Sequence, residues 1–221
     1  MVKEIPLWLK GALDTAGASS IEAAVKEAEK RTAGEIVPIL VQGSTVNASA
    51  PLLAVFIAGF VVLALKHGFW LYEVEVSELT SVWFWSALFA SAVCAGFAFG
   101  MHPLGQMLLT PKWEKRRQAH QRALLEFYQA ELNKTTGRTG ILLFVSWRER
   151  QAHVLADKGI AQYCEPSVFE GVVKELVRGA KEGQLAVGYA RAVVMCGDIL
   201  AKHIPIQAGD TNELKNYLRI I

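Results

Sequence analysis

The sequence predicts an α/β protein, a three-layer sandwich of helices about a sheet, interrupted by a two-helix transmembrane hairpin. Three observations carry this expectation. Two stretches without Asp, Glu, Lys or Arg, within 36–65 and 79–111, are largely apolar, and each reaches the roughly 20 apolar residues that a spanning helix needs. Short apolar runs at 35–42 and 139–146 lie on either side of them, with the length and punctuation of strands. Helical apolar stripes flank those runs in turn, and helices alternating with strands build layered α/β domains. Residues 1–47 are therefore expected to form the first part of a soluble α/β domain, 48–111 a membrane hairpin, and 112–221 the second part of that domain.

The chain of 221 residues has room for one ordinary domain and something extra. Its 23 basic and 21 acidic residues nearly balance, which gives no case for a nucleic-acid partner, because phosphate-backbone binding rests on clustered Lys and Arg. Cys94, Cys164 and Cys196 form no Cys-x-x-Cys pair, so they read as reduced core thiols, not as a zinc site or disulfide framework. Charges run through the first 35 residues, unlike a secretory signal, and no export is expected.

Taken in order, Ser19-x-x-Glu22 reads as a capping box opening a helix over 21–31, with Ile21, Ala24, Val25 and Ala28 on one face and Gly34 to end it. A strand over 35–42 contains Pro38, which removes a ladder donor and favours an edge or a bulge. In the hairpin, Trp70, Tyr72, Trp83 and Trp85 fit an aromatic belt at one interface. The inter-helix loop sets Lys66 against Glu73, Glu75 and Glu78, a net of −2, whereas Lys112, Lys115, Arg116, Arg117 and Arg122 against Glu114 give +4 beyond the second helix. Basic flanks stay in the cytoplasm, so the loop is expected outside and both termini inside. Ala92, Gly96 and Gly100 share a face of the second helix, suited to packing on the first helix or to a homo-oligomer through Gly96 and Gly100.

A helix over 113–133 carries Ala119, Ala123, Leu124, Phe127 and Ala130 inward. The uninterrupted apolar run at 139–146 reads as a central strand buried on both faces, 147–150 as a turn, and 151–157 as a half-buried partner strand. Helices over 168–178, with Val168 inward, and 185–203, stopped by Pro205, complete the domain.

Motifs that carry chemistry are sparse. No Walker loop, dinucleotide fingerprint, zinc-protease motif or nucleophile elbow occurs, and the five histidines are scattered. The segment Thr136-Gly137-Arg138-Thr139-Gly140 precedes a strand instead of opening a helix, which makes it a turn and not a phosphate cradle. Asp157 falls at a strand end beside Gly159. That position suits a ligand site in an α/β sheet or a cap on the following turn. Asp14, before Ala16 and Gly17, is a second candidate or a solvated loop residue, and Arg150 reads most simply as a solvated turn residue.

Several segments together resemble the TPM-domain family, and its bacterial membrane-anchored subgroup with two internal transmembrane helices. They are Leu13-Asp14-Thr15-Ala16-Gly17, residues 28–37, residues 137–146, Arg150, Gly159-Ile160 and residues 183–192, with a similar tail at 210–214. The resemblance implies a Rossmann-like α/β/α sandwich. Some members are divalent-metal binders or acid phosphatases, and others are accessory factors of membrane complexes. Two features differ from most relatives. The anchor is internal, and Asp157 stands where the first glycine of a Gly-x-Gly-Leu segment is usual.

Two functions follow as expectations. One is a non-enzymatic, membrane-tethered module that binds a protein partner or maintains a membrane complex. The other is a phosphate-ester hydrolase using Asp14 and Asp157 as ligands for Ca²⁺ or Mg²⁺. Spans without a charged residue argue against transport. The expected setting is the bacterial inner (plasma) membrane, multi-pass, with the lipid bilayer as partner and the soluble domain in the cytoplasm.

Overall fold

A computed structural model of the chain describes residues 5–71, 82–135, 137–206 and 213–221. The acidic loop residues Glu73, Glu75 and Glu78, Tyr72, Thr136 and the tail residues 207–212 lie outside the described residues, as does the side chain of Trp70. Two compact units divide the chain: Met1–Ser44 with Arg116–Ile221, and Thr45–Lys115. In chain order the elements are α1 (Thr15–Glu29), β1 (Glu35–Val41), α2 (Ala50–Leu71), α3 (Val82–Met101), α4 (Pro103–Leu109), α5 (Lys112–Gln129), β2 (Gly140–Ser146) and β3 (Gln151–Ala156). A single turn, α6 (Lys158–Ala161), then leads to α7 (Glu170–Glu182), α8 (Leu185–His203) and β4 (Arg219–Ile220).

The first unit is a mixed α/β fold around a four-stranded sheet in the order β3-β2-β1-β4. β1 runs parallel to β2 and β4, while β3 returns antiparallel to β2. Both central strands are buried along their whole length, which is why they read as unbroken apolar runs. Alternation across the pleat divides their side chains between two cores. Ile36, Leu40, Ile141, Leu143 and Val145 face α1, α7 and α8. Val37, Ile39, Val41, Leu142 and Phe144 face Ala123 and Phe127 of α5, with Ala130 and Leu132 beyond it. Helices thus cover the sheet on both sides.

Pro38 makes no bulge, because β1 keeps an unbroken register with β2, but it does fall where β1 is locally an edge. The Glu35 N–H donates to Thr139 O (3.1 Å) and Val41 O accepts from Trp147 N–H (3.0 Å), so odd-numbered residues of β1 direct their backbone groups toward β2. Even-numbered ones face β4, as the bond from Ile221 N–H to Leu40 O (2.9 Å) records. The ladder with β4 covers only Ile39–Arg219 and Leu40–Ile220. The missing proline donor therefore falls just before that short ladder begins, where it breaks no bond.

Two helix starts and one helix face differ from the sequence expectation. α1 starts at Thr15, not at 21, because Asp14 in extended backbone accepts the Gly17 N–H at 2.6 Å, and an aspartate is a strong N-cap. Ser19 lies inside the helix and donates back to Thr15 O. Pro166 opens a 3₁₀ turn, Pro166–Phe169, ahead of α7, which changes the helical phase and leaves Val168 exposed while Phe169 is buried. Leu124 is also exposed, outside the Ala119, Ala123 and Phe127 stripe of α5.

In the second unit, α2 and α3 form an apolar helical pair long enough to cross a membrane, with 28% and 6% of their spanning windows buried. A core helix would be buried over most of its surface; here Phe56, Phe60, Trp83 and Phe97 are exposed. Close packing is confined to one seam. A Cβ on Gly96 would lie 3.0 Å from Ala54 O, and one on Gly100 only 2.3 Å from Pro51 Cα, so these glycines let the backbones approach. That face is covered by α2 of the same chain. A homo-oligomer through Gly96 and Gly100 would require the pair to come apart.

Candidate functional site

Parallel β1 and β2 end at the same sheet edge, the edge at which open α/β sheets place ligands. Their exits bring together Ser44, Ser146 and Glu149. Ser146, the polar residue closing an otherwise apolar strand, is fully buried at 0% exposure, and Glu149 in the following turn is 7% exposed. The Glu149 Oε2 accepts the Ser44 backbone N–H at 3.1 Å and also the Ser146 hydroxyl, while the Ser44 hydroxyl donates to Ser146 Oγ at 2.8 Å. Hydrogen bonds to a buried carboxylate offset its desolvation. The arrangement closes the root of the segment that leaves the sheet at Ser44. Neither hydroxyl is presented as an exposed nucleophile, and the chemistry it supplies is that of a polar latch.

Arg150 stands beside this latch and is not the solvated turn residue expected. Its φ is +54°, its guanidinium lies 3.7 Å above the Trp147 ring, and it donates to Ala180 O near the C-terminus of α7. Desolvation lowers its pKa from the ordinary arginine value. A cation at the negative end of a helix dipole, stacked on an indole, ties the hairpin turn to α7.

The two predicted aspartates do not converge. Glu29 Oε1 accepts Ile36 N–H (2.9 Å), which sets the C-terminus of α1 at the N-terminal edge of β1. Asp14 is at the other end of this 15-residue helix, about 22 Å away at 1.5 Å per residue. Asp157 N–H donates to Gly140 O (2.9 Å), and Gly140 lies opposite Glu35, so Asp157 belongs to the N-terminal edge. As expected for a strand reached through the turn at 147–150, β3 runs antiparallel to β2, so its C-terminus lies at the sheet edge opposite the exits of β1 and β2. One divalent ion cannot bridge both residues. Among the described residues no group of three or more His, Cys, Asp or Glu side chains converges.

Each aspartate instead caps a helix. Asp157 is 6% exposed; its Oδ1 accepts Lys158 N–H at 2.7 Å, and its buried Oδ2 has no hydrogen-bond partner among the described residues. Gly159 is required by close approach, since a Cβ there would lie 2.3 Å from Gly137 O and 2.6 Å from Arg138 O.

Sequence reasoning missed a second polar cluster, at the N-terminal edge. Glu35 Oε1 and Oε2 accept the backbone N–H groups of Glu213 (3.0 Å) and Leu214 (3.3 Å), and Glu29 Oε2 accepts from Asn216. These carboxylates clasp the tail that carries β4. Burial, reinforced by the charge of Glu35 and opposed by the Ile36 N–H, pushes the Glu29 carboxyl up to about 8. The only sequence signal was a glutamate directly preceding an apolar strand. Across the sheet, His120 and His153 stack edge to face with ring centroids 5.2 Å apart. Burial, then the neighbouring His120 and Arg116, pushes His153 down to about 4.

No family model matches this chain, and a comparison with curated proteins likewise gives no match. Among solved structures, the chain is similar to the NMR structure of the BA42 protein from the psychrophilic bacterium Bizionia argentinensis. The two share 16% sequence identity with a TM-score of 0.58, over 100% of this chain and 99% of the other. At that identity the likeness concerns the fold alone.

Proposed function

We propose that the protein is a membrane-tethered module of TPM-domain type, a Rossmann-like α/β/α sandwich whose soluble unit is held at the bacterial inner membrane to bind a protein partner. One observation carries the membrane part of this reading: α2 and α3 expose large apolar side chains, among them Phe56, Phe60, Trp83 and Phe97, instead of burying one stripe in a core. Water solvates such a surface poorly, and lipid covers it. The basic flank after α3 and the acidic loop before it orient both termini to the cytoplasm. The non-enzymatic part is supported by the Ser44, Ser146 and Glu149 latch, whose groups bond one another. A metal-dependent hydrolase would have to draw on ligands other than Asp14 and Asp157 together.

Alkaline carbonate extraction of membranes tests the tether, and the chain is expected to stay in the pellet. In intact cells a membrane-impermeant thiol reagent should label a cysteine placed at Ser77 and spare cysteines at Thr45 or Asn133; the reverse pattern would invert the topology. Hydrolysis of a phosphate monoester by the purified protein with Ca²⁺ or Mg²⁺, lost in Asp14→Asn or Asp157→Asn, would overturn the non-enzymatic reading.

A further inference from the structure

The apolar surface does not stop at the end of α3. At His102 the chain breaks direction: the His102 Nδ1 accepts Leu104 N–H (3.3 Å) and Pro103 opens α4, a position that proline favours. α4 then packs against both α2 and α3. Gly105 makes the approach possible, since a Cβ there would lie 1.9 Å from Phe99 O. The Gln106 side chain reaches back to Met101 O (3.4 Å), and Asn47 ties the end of α4 down through Thr110 Oγ1 (3.0 Å).

This bracing holds α4 with an apolar face outward. Leu104 and Leu108, four residues apart, are exposed, Leu108 to 73% and the following Trp113 to 67%. Leucines at that spacing share one helix face, and none of the described residues covers it. Lys112 and Lys115 follow within about two turns, Lys112 exposed and Lys115 partly so. A short helix with leucines on one face, attached to the end of an apolar span and followed after Pro111 by a tryptophan and two lysines in the first turn of α5, has the chemistry of the bilayer interface. Leucines enter the acyl boundary, the indole sits among headgroups, and lysine stems lie along the apolar layer with their ammonium groups at phosphate level.

We propose that α4 is an interfacial helix and that Lys112 and Lys115, in the first turn of α5 that follows it, bind the phosphate headgroups of anionic lipids. The inference rests on the membrane placement proposed above and adds a lipid preference to it. Each lysine near an anionic surface strengthens binding about fivefold. Headgroup charge, not lipid in general, is therefore the partner.

The test uses full-length protein in a neutral detergent and tail-labelled phosphatidylglycerol or phosphatidylcholine, with binding read by fluorescence anisotropy. Phosphatidylglycerol is expected to bind at least about 25-fold more tightly, about fivefold for each lysine. Lys112→Gln with Lys115→Gln should weaken it roughly 25-fold, two lysines at about fivefold each, and leave phosphatidylcholine unchanged. Leu104→Gln with Leu108→Gln should weaken both lipids. Equal affinity for the two headgroups, or an unaltered preference in the double lysine variant, would overturn the proposal. So would displacement of the labelled lipid by millimolar inorganic phosphate, which would reveal a free-anion site. Carbonate extraction keeps the two failures apart: release of wild-type protein defeats the membrane reading, whereas retention without headgroup preference defeats only this inference.

Discussion

The sheet of the first unit and the hairpin of the second are built from similarly apolar residues, yet they dispose of them in opposite ways. In β1 and β2 every residue is buried, the side chains divided between cores on two faces. In α2 and α3 many large residues point outward, Phe56, Phe60 and Phe97 among them, while Gly96 and Gly100 line the contact and Trp85 and Val62 are the large side chains buried with them. Hydrophobicity alone therefore does not specify a core. In water the hydrophobic effect drives large side chains together; between helices surrounded by lipid that drive is absent, and close backbone approach through small residues takes its place.

The contrast breaks most visibly if a phenylalanine is removed from each unit. Phe144 is fully buried in the sheet, and Phe144→Ala should destabilise the first unit by about 3–5 kcal/mol. Phe60 is exposed, and Phe60→Ala should change stability in detergent by less than about 0.5 kcal/mol, as for surface sites. Denaturant unfolding of the two variants measures both. Similar losses would mean that Phe60 has a partner that the monomer does not supply.

Small residues should show the reverse sensitivity. A methyl group at Gly100 would meet the backbone of Pro51 and Ala50, with Pro51 N at 2.7 Å and Ala50 O at 2.8 Å, and backbone cannot rotate aside. Gly100→Ala should lower the unfolding midpoint of the hairpin in mixed micelles, by about 1–3 kcal/mol on the scale of overpacked cores. At Gly68, where an added Cβ meets nothing within 4 Å, the same substitution should be neutral or slightly stabilising. A neutral Gly100→Ala would show that the seam is looser than its contacts indicate.

The first unit also carries acidic side chains in its packing, among them Glu35, Glu126 and Asp157. Glu29 has its carboxyl raised to about 8 from an ordinary 4.5, mainly by burial. Because the folded state holds the proton more tightly, its contribution is fully present below about pH 4.5 and is lost as pH rises to about 8. The loss is on the order of a few kcal/mol. His153 acts with the opposite sign: lowered from 6.5 to about 4 by burial, His120 and Arg116, it contributes above 6.5 and loses that contribution as pH falls. Glu29→Gln should flatten the decline in stability between pH 5 and 8 in urea titrations of a protein whose residues 48–111 are replaced by a Gly/Ser linker. An unchanged slope would mean that the tail clasp opens before Glu29 ionises.

Legibility follows the range of the interaction. The strand 35–42, the buried run 139–146, the turn at 147–150 and the helix 185–203 were legible because each is set by local pattern and punctuation; the last coincides with α8, Leu185–His203. β4 was not, because Arg219 and Ile220 become a strand only through docking beside β1. The latch was equally hidden, since Ser44 and Ser146 are 102 residues apart. Asp157 was legible as the end of a strand and as a cap on the following turn, which is what its bond to Lys158 N–H makes it; its place at the edge of the sheet opposite the latch follows from the pairing of β3 with β2.

The smallest effects expected are at the two aspartates. Asp14 caps α1 through Gly17 N–H, so Asp14→Ala should destabilise the soluble unit by about 1 kcal/mol, whereas Asp14→Asn retains an acceptor and should shift it by only a few tenths. Asp157 differs because its Oδ1 is engaged by Lys158 N–H while its Oδ2 is buried without a partner among the described residues. Asp157→Asn keeps the bonded oxygen and puts an amide nitrogen in place of the unpartnered one, so stability should change by under about 1 kcal/mol in either direction. Thermal melts of the linker protein with and without millimolar Ca²⁺ or Mg²⁺ provide the check. A midpoint raised several degrees by either cation in wild type and unmoved in Asp157→Asn would assign the open Oδ2 to a metal, because a ligand that binds only the native state must stabilise it. The expected result is that wild type and variant respond alike, with Asp157 acting as a cap at the edge of the sheet opposite the latch.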